Sequence, residues 1–149
     1  MTLRATDVVS TRRVYDSSVA TQASPAAIKE INNGTRNLSA IELSKLMHSI
    51  DVWFDRAGRG ESPEVPGLPV GRRVRIDLSA VTSGPEAGLQ ASGLVVKSGL
   101  THGYKAPMDS TRWVDVLVAE GDRPRIVTIK WTSLFVSPQQ LTQVGIKVL

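Results

Sequence analysis

Between residues 39 and 50 the apolar positions recur every three or four residues, which is the spacing of one face of a helix. They are Ile41, Leu43, Leu46, Met47 and Ile50. Ser39 precedes this stripe and Glu42 follows three positions later, which matches a capping box, where each side chain accepts a hydrogen bond from the other residue's backbone N–H. The pattern predicts an amphipathic helix that begins after Ser39.

A shorter amphipathic helix is predicted just before it. Ile28 and Ile31 are spaced to form its inner face. Ser24 is a favourable N-cap, and Pro25 suits the first helical position, where its missing N–H costs nothing. Gly34 is expected to end the helix, because glycine readily takes the positive φ found at many helix C-termini.

The chain before Ser24 has a less regular helical pattern. Its apolar residues at roughly helical intervals are Leu3, Val8, Val9 and Val14, and "SVATQA" predicts one more short helix. Together with the two capped helices, these segments predict an all-α bundle over residues 1–56.

Residues 57–69 contain three glycines and three prolines and few side chains able to pack. This composition is typical of a linker that is semi-rigid where prolines cluster. We therefore predict a domain boundary here, with a second domain over residues 70–149.

Beyond this boundary the apolar positions alternate every second residue, as in half-buried strands. In "VGRRVRIDL" the apolar set is Val74, Ile76 and Leu78, and in "RWVDVLVAE" it is Val114, Val116 and Val118. "PRIVTIKW" follows the hairpin turn "EGDRP", and "SGLVVKSGL" and "SLFVSP" bring the total to about five short strands. Strands without intervening helices predict a small barrel or sandwich.

Composition narrows the functional classes. The 149 residues carry 18 basic and 14 acidic side chains, a net charge of +4, which favours an acidic partner such as nucleic acid. The absence of cysteine excludes disulfides, thiol catalysis and cysteine-based zinc sites. Because neither a signal-peptide core nor a run of about 18 apolar residues occurs, we expect a cytoplasmic protein of a bacterial cell, with no membrane partner.

Residues suited to catalysis or metal binding are scattered. His48 and His102 have no second histidine or carboxylate at ligand spacing, and no glycine-rich phosphate loop occurs. The carboxylates interpreted as surface residues near turns are Asp109, Asp115, Glu120 and Asp122. We therefore expect no enzymatic activity, no metal and no cofactor.

The stretch "SPAAIKEINNGTRNLSAIELSKLMHSIDV" resembles the second half of a lambda-repressor/Cro-type helix-turn-helix domain. The matching positions are Ser24, Ile28, Ile31, Gly34, Arg36, Asn37, Ser39, Leu43, Leu46, Ile50 and Val52. They cover about a fifth of the chain. The preceding segment, "SSVATQAS", departs from the family pattern because it lacks the glycine of the usual turn. The resemblance implies that the helix after Ser24 enters the major groove of duplex DNA.

The resemblance also implies a set of DNA-contacting residues. The positions that usually read bases are Pro25, Ala26 and Ala27, and further contacts are expected from Lys29, Asn32, Asn33 and Thr35. Ser24 and the free N–H groups beside it suit a phosphate, and Arg36 is placed to hold a second one. The alternative is that these residues are ordinary helix caps and a solvated face in a helical bundle.

The second half resembles SH3-like or KOW-like small barrels in its order of strands. Arg73 and Arg75 are expected to project from one strand face and contact phosphates, and Lys105 and Arg112 belong to a predicted loop over residues 97–113 that mixes basic and aromatic residues. This half is therefore either a second DNA-contacting module or a dimerisation or effector domain.

These expectations combine into an α+β protein of two domains, an all-α helix-turn-helix bundle and a small all-β barrel of SH3-like type. The function implied is sequence-specific repression of transcription by promoter occupancy, as in a temperate-phage immunity repressor, acting on double-stranded DNA as a homodimer or as a monomer that uses both domains. The alternatives are a phage structural or adaptor protein that uses the barrel for protein contacts, and an RNA-binding regulator.

Overall fold

The computed structural model describes residues 24–50, 64–80, 87–101, 110–131 and 138–149. These residues form two α-helices, five β-strands and one 3-10 helix. The helices are α1 (Pro25–Asn33) and α2 (Ala40–Ser49), the strands are β1 (Arg73–Asp77), β2 (Gln90–Thr101), β3 (Thr111–Glu120), β4 (Arg123–Trp131) and β5 (Ile146–Val148), and the 3-10 helix is Pro138–Val144.

The five strands form one antiparallel sheet in the order β4-β3-β2-β1-β5. From β1 to β4, strands consecutive in the chain are neighbours in the sheet, whereas β5 follows the 3-10 helix and returns to pair with β1. The pairing of β2 with β3 shifts between Val95 and Lys97. A bulge of this kind bends the strand and increases its twist.

One face of the sheet, which we call the inner face, carries a core of aliphatic and aromatic side chains. Its central members are Val74, Ile76, Val116, Val127, Ile129 and Trp131. Leu141, Val144 and Ile146, from the 3-10 helix and β5, and Val65 and Leu68, from the segment before β1, belong to the same cluster. The segment before β1 and the segment after β4 therefore both pack on this core.

The opposite face, which we call the helix face, is covered by α1 and α2. The helix pair contributes Ala27, Ile31, Leu38, Leu43, Met47 and Ile50, and the sheet contributes Leu94, Val96, Leu117, Ala119 and Ile126. The buried residues of each helix recur every three or four positions, so each helix turns one stripe into this cluster, and α1 lies directly on β2 and β3. The two helices and the sheet thus share one core.

The prediction of two domains, an all-α helix-turn-helix bundle and a separate all-β barrel, is wrong. Alternation along β3 predicted one buried and one solvated face, but Val116 lies in the inner core while Leu117 and Ala119 lie against the helices. A strand buried on both faces needs a layer on each side. The helix pair supplies that layer for the helix face, so it cannot be treated as an independent bundle.

Most of the predicted elements are nevertheless found. Both helix starts and four of the strand segments are confirmed, as is the turn between β3 and β4, where Gly121 has φ 61°. The fifth strand is Ile146–Val148, which was not predicted, and "SLFVSP" lies outside the described residues except for Pro138. Ile41, assigned to the inner stripe of α2, is 69% exposed.

The end of the predicted linker is packed. Val65 and Leu68 are buried, the Val65 N–H donates to Ser98 Oγ at 2.9 Å, and that hydroxyl donates to the Leu68 carbonyl at 3.0 Å. Buried Ser98 on β2 therefore anchors residues 65–68. Residues 57–63 and the predicted upstream helices lie outside the described residues.

Candidate functional site

The outer side of α1 carries five of the thirteen predicted contact residues. Ser24 caps the helix by accepting from the Ala27 N–H at 3.2 Å, and Pro25 occupies the first turn. The exposed residues at this end and along the outer side are Ser24, Pro25, Ala26, Lys29 and Asn33. Glu30, the acidic residue of α1, is directed elsewhere, towards Arg73.

Two of the predicted base-reading or flanking positions are not on this outer side. Ala27 is buried against the sheet together with Ile31, because both lie on the inner stripe of the helix. Asn32 is half-buried. A ligand on α1 would therefore meet Pro25, Ala26 and Lys29 first, and Ala27 is unavailable to it.

Arg36, in the connection between the helices, is exposed but already engaged. Its guanidinium forms a two-pronged ion pair with Glu42, with Nη1 at 3.1 Å from Oε1 and Nη2 bonded to Oε2. Glu42 also completes the capping box of α2, since Oε1 accepts from the Ser39 N–H at 3.2 Å and Ser39 Oγ accepts from the Glu42 N–H at 3.1 Å.

This arrangement changes the acid–base properties of both side chains. The hydrogen bonds from Arg36 and from the Ser39 backbone lower the pKa of Glu42 to about 2, and the same contact raises the pKa of Arg36. Glu42 is therefore ionised at neutral pH and holds Arg36. A phosphate that binds Arg36 must compete with this carboxylate.

Arg73, predicted to contact phosphate, is instead the buried link between the sheet and the helix pair. Its side chain is 5% exposed. Nε donates to the Arg36 carbonyl at 2.5 Å, Nη1 to the Glu30 carbonyl at 2.7 Å and Nη2 to Glu30 Oε1 at 2.5 Å. The guanidinium is directed into the molecule, so it cannot reach a phosphate outside it without leaving these partners.

Gly34 is required beside this guanidinium for a reason that differs from the predicted one. Its φ of −62° is accessible to any residue, so positive φ does not explain the glycine. A Cβ at this position would lie 2.0 Å from Nη2 and 2.3 Å from Cζ of Arg73. Glycine thus leaves the space through which Arg73 reaches α1.

Backbone contacts hold the same connection onto the chain before β1. The Leu38 N–H donates to the Gly71 carbonyl at 2.9 Å, and Asn37 Oδ1 accepts from the Arg73 N–H at 2.9 Å. Gly71 has φ 86°, and a Cβ there would lie 1.8 Å from the Leu38 carbonyl oxygen. The α1–α2 connection is consequently fixed at several consecutive residues.

An open groove of about 370 Å³ lies between the end of α1 and the start of α2. It is lined by Glu30, Asn33, Gly34, Thr35, Arg36, Leu38, Glu42 and Leu46. Three predicted contact residues, Asn33, Thr35 and Arg36, are thus brought together. The charged groups of this groove are paired with one another or with Arg73, as described above.

The remaining predicted residues are dispersed. Arg75 is exposed on β1. Arg112 is half-buried within β3, so it belongs to a strand and not to the predicted loop, and the same holds for Trp113. Lys105 lies outside the described residues. Arg73, Arg75 and Arg112 therefore do not form one exposed patch.

Asp115 was interpreted as a surface residue and is fully buried. Thr128 Oγ1, on the neighbouring strand, donates to Asp115 Oδ1, and Lys97 lies opposite Asp115 in the register of β2 and β3. A carboxylate in the middle of the apolar run "WVDVLV" was the signal in the sequence, because a solvated strand face would be more polar throughout. Glu30, as the partner of Arg73, was also missed.

The part of the chain that the structure describes contains no helix with the length and apolar character needed to cross a membrane. Within the same residues, no three histidine, cysteine or carboxylate side chains come together where a metal ion could be held.

Comparison with known proteins returns no matching family model, no matching curated protein and no matching solved structure. Neither these comparisons nor the two short helices identify a helix-turn-helix domain, so the resemblance to the lambda-repressor/Cro type stays a prediction.

Proposed function

We propose that this protein is a DNA-binding regulator of transcription that places the outer side of α1 against duplex DNA and thereby occludes a promoter in the cytoplasm of a bacterial cell. The observation that carries the proposal is the distribution of charge on α1. Its exposed residues are small, polar or positive, and the charge of Glu30, whose side chain is 41% exposed, is paired with Arg73 and directed away from Lys29.

The dimensions of α1 support this role. Nine residues at a rise of about 1.5 Å make a helix roughly 13 Å long, and the major groove is about 12 Å wide. Pro25 and Ala26 are small enough to let the helix approach closely. Their apolar surfaces suit the methyl group of thymine, whereas Lys29 suits a phosphate or the acceptors of guanine.

Rigid attachment of the helix pair supports it as well. The hydrogen bonds of Arg73 hold the end of α1 and the connection that follows it on the sheet. A helix held in one orientation binds DNA without first losing conformational freedom. With only one charged residue on its outer side, α1 should bind DNA with limited sequence specificity.

The test is the affinity for a random duplex as a function of salt, measured by mobility shift for the wild type, Lys29→Ala and Lys45→Ala. Lys45 is an exposed lysine of α2 and serves as the control. We expect Lys29→Ala to reduce the slope of log affinity against log salt by about 0.9, the loss of one phosphate contact, and Lys45→Ala to leave it nearly unchanged.

Equal slopes for Lys29→Ala and the wild type would contradict the role of α1. No shift of duplex DNA even at low salt is the result expected of an adaptor protein, and a preference for single-stranded RNA is the result expected of an RNA-binding regulator. A second series uses DNA from upstream of the protein's own gene. The ratio of its affinity to that for the random duplex measures the sequence specificity.

A further inference from the structure

Two exposed basic residues lie directly opposite each other on β1 and β5. The register of these strands pairs Arg75 with Lys147, and both side chains are exposed. Side chains directly opposite in an antiparallel pair have Cβ atoms about 5 Å apart, and like charges at that distance are destabilising. Neither forms an ion pair with a described residue, and the attraction between Arg75 and Asp77 offsets this repulsion only in part.

The nearest carboxylate is committed to another contact. Asp77, two residues after Arg75, accepts from the Ser79 N–H at 3.0 Å and from Gln90 Nε2 at 3.4 Å. Hydrogen bonds with the side chain and the backbone of Ser79 are the main reason that the pKa of Asp77 is lowered, and the attraction to Arg75 contributes least. Across β1 on the other side, Arg75 faces the neutral Ser92. The two positive charges therefore remain available to an external anion.

The backbone on both sides of the pair is firmly held. The Asp77 N–H donates to the Gly145 carbonyl at 2.8 Å, and the Leu149 N–H donates to the Arg73 carbonyl at 3.1 Å. Gly145 has φ 82°, and a Cβ there would lie 2.5 Å from the Asp77 carbonyl oxygen. The separation between Arg75 and Lys147 is thus set by the strand pairing.

The pair also lies close to the helices. Arg73 precedes Arg75 by two residues on the same face of β1, a distance of about 6.6 Å along a strand, and the Arg73 side chain bonds to Glu30 and to the Arg36 carbonyl. The two charges therefore stand just beyond the α1–α2 connection, outside the area that the helix pair covers.

We propose that Arg75 and Lys147 form a clamp for a backbone phosphate of the same duplex that α1 contacts. This inference rests on the proposed function and adds to it a sequence-independent anchor on the sheet. A phosphate bound between the two residues would attract both cations and so offset the repulsion between them.

The test compares Arg75→Gln/Lys147→Gln with Arg123→Gln/Lys45→Gln, which removes the same charge from two other exposed positions. We expect the first double variant to reduce the salt slope of binding to a random duplex by about 0.9 relative to the control double variant. Its thermal midpoint should equal or exceed that of the wild type, because like charges have been removed.

Equal slopes for the two double variants would overturn the clamp, and a thermal midpoint several degrees below the wild type would assign the pair a structural role instead. If Lys29→Ala has the salt slope of the wild type while Arg75→Gln/Lys147→Gln has a reduced one, the phosphate contact of the clamp is supported and the proposed role of α1 is contradicted. A wild-type protein without affinity for DNA at low salt overturns both.

Discussion

The two faces of the sheet are both buried under apolar clusters, but the polar groups buried with them differ, neutral on the inner face and charged on the helix face. On the inner face, side chains such as Val74, Ile76 and Ile129 pack into an apolar core, and the neutral hydroxyl of buried Ser98 binds residues 65–68 at its edge. On the helix face, an apolar centre is bordered by buried polar groups, namely Arg73 at the end of α1 and Asp115 with Thr128 on the strands. Apolar packing excludes water without fixing one orientation, whereas hydrogen bonds are directional.

This difference suggests that the two faces contribute differently to the protein. The inner core provides the stability of the sheet, while the contacts of Arg73 determine where α1 lies and how it is oriented. The helix layer lies at the surface and is held by the apolar cluster of the helix face together with the contacts of Arg73, which makes it a candidate for local opening below the global free energy of unfolding. The following variants test that division.

The largest effect is expected from two matched isoleucines. Ile76 on the inner face and Ile31 on the helix face are both fully buried. Changing either one to alanine should remove about 3 kcal/mol of packing free energy from its own face. We expect Ile76→Ala to lower the free energy of global unfolding by this amount. Ile31→Ala should mainly increase hydrogen exchange of the α1 and α2 amides, with a smaller change in the strands.

Denaturant unfolding and residue-level hydrogen exchange measure the two quantities. If both variants reduce the protection of helices and strands alike, the faces form a single cooperative unit and the proposed division is incorrect.

A somewhat smaller effect is expected from Arg73→Ala. The variant leaves the Glu30 and Arg36 carbonyls without their donor, and the loss should be about 2 kcal/mol, because the Glu30 carboxylate can still be solvated. The amides of α1 should exchange faster than those of β3. Arg73→Lys should recover little of the loss, since an ammonium lacks the geometry to reach three acceptors.

Gly34→Ala provides the control for this interpretation. Its Cβ would displace the Arg73 guanidinium, so the substitution should destabilise the wild type but have little effect in the Arg73→Ala background. Thr35→Ala, at the adjacent exposed position, should be nearly neutral in both. Additive effects of Gly34→Ala and Arg73→Ala would show that the glycine has another role.

The smallest effect concerns the exposed ion pair. The pKa of Glu42 is lowered from 4.5 to about 2, so its contribution to stability is present above about pH 4.5 and is lost as the pH falls towards 2. Glu42→Gln keeps a side chain able to complete the capping box but removes the charge. The stability difference between wild type and variant should therefore shrink between pH 6 and pH 2, measured by urea midpoints.

Arg36→Gln should show the same convergence, because it removes the other half of the pair. A difference that stays constant over this pH range would indicate that the ion pair adds nothing to stability.

Local features of this protein were accessible from the sequence because they depend on residues close together in the chain. Ser24 and Ser39 both cap helices as predicted, with the reciprocal bonds of Glu42 at the second helix. The alternation of "RWVDVLVAE" and "PRIVTIKW" and the turn between them also predicted β3 and β4. Hydrogen bonds over three residues and side-chain alternation need no knowledge of the rest of the fold.

The tertiary structure alone decided how these elements assemble. An arginine that alternates with valines is expected in solvent, yet Arg73 is buried because Glu30 and the Arg36 carbonyl, some 40 residues away, surround it. The same applies to Asp115, whose hydrogen-bond partner Thr128 is on the next strand. Burial of a charge depends on partners that distant segments bring to it, and the spacing of residues along the chain does not contain that information.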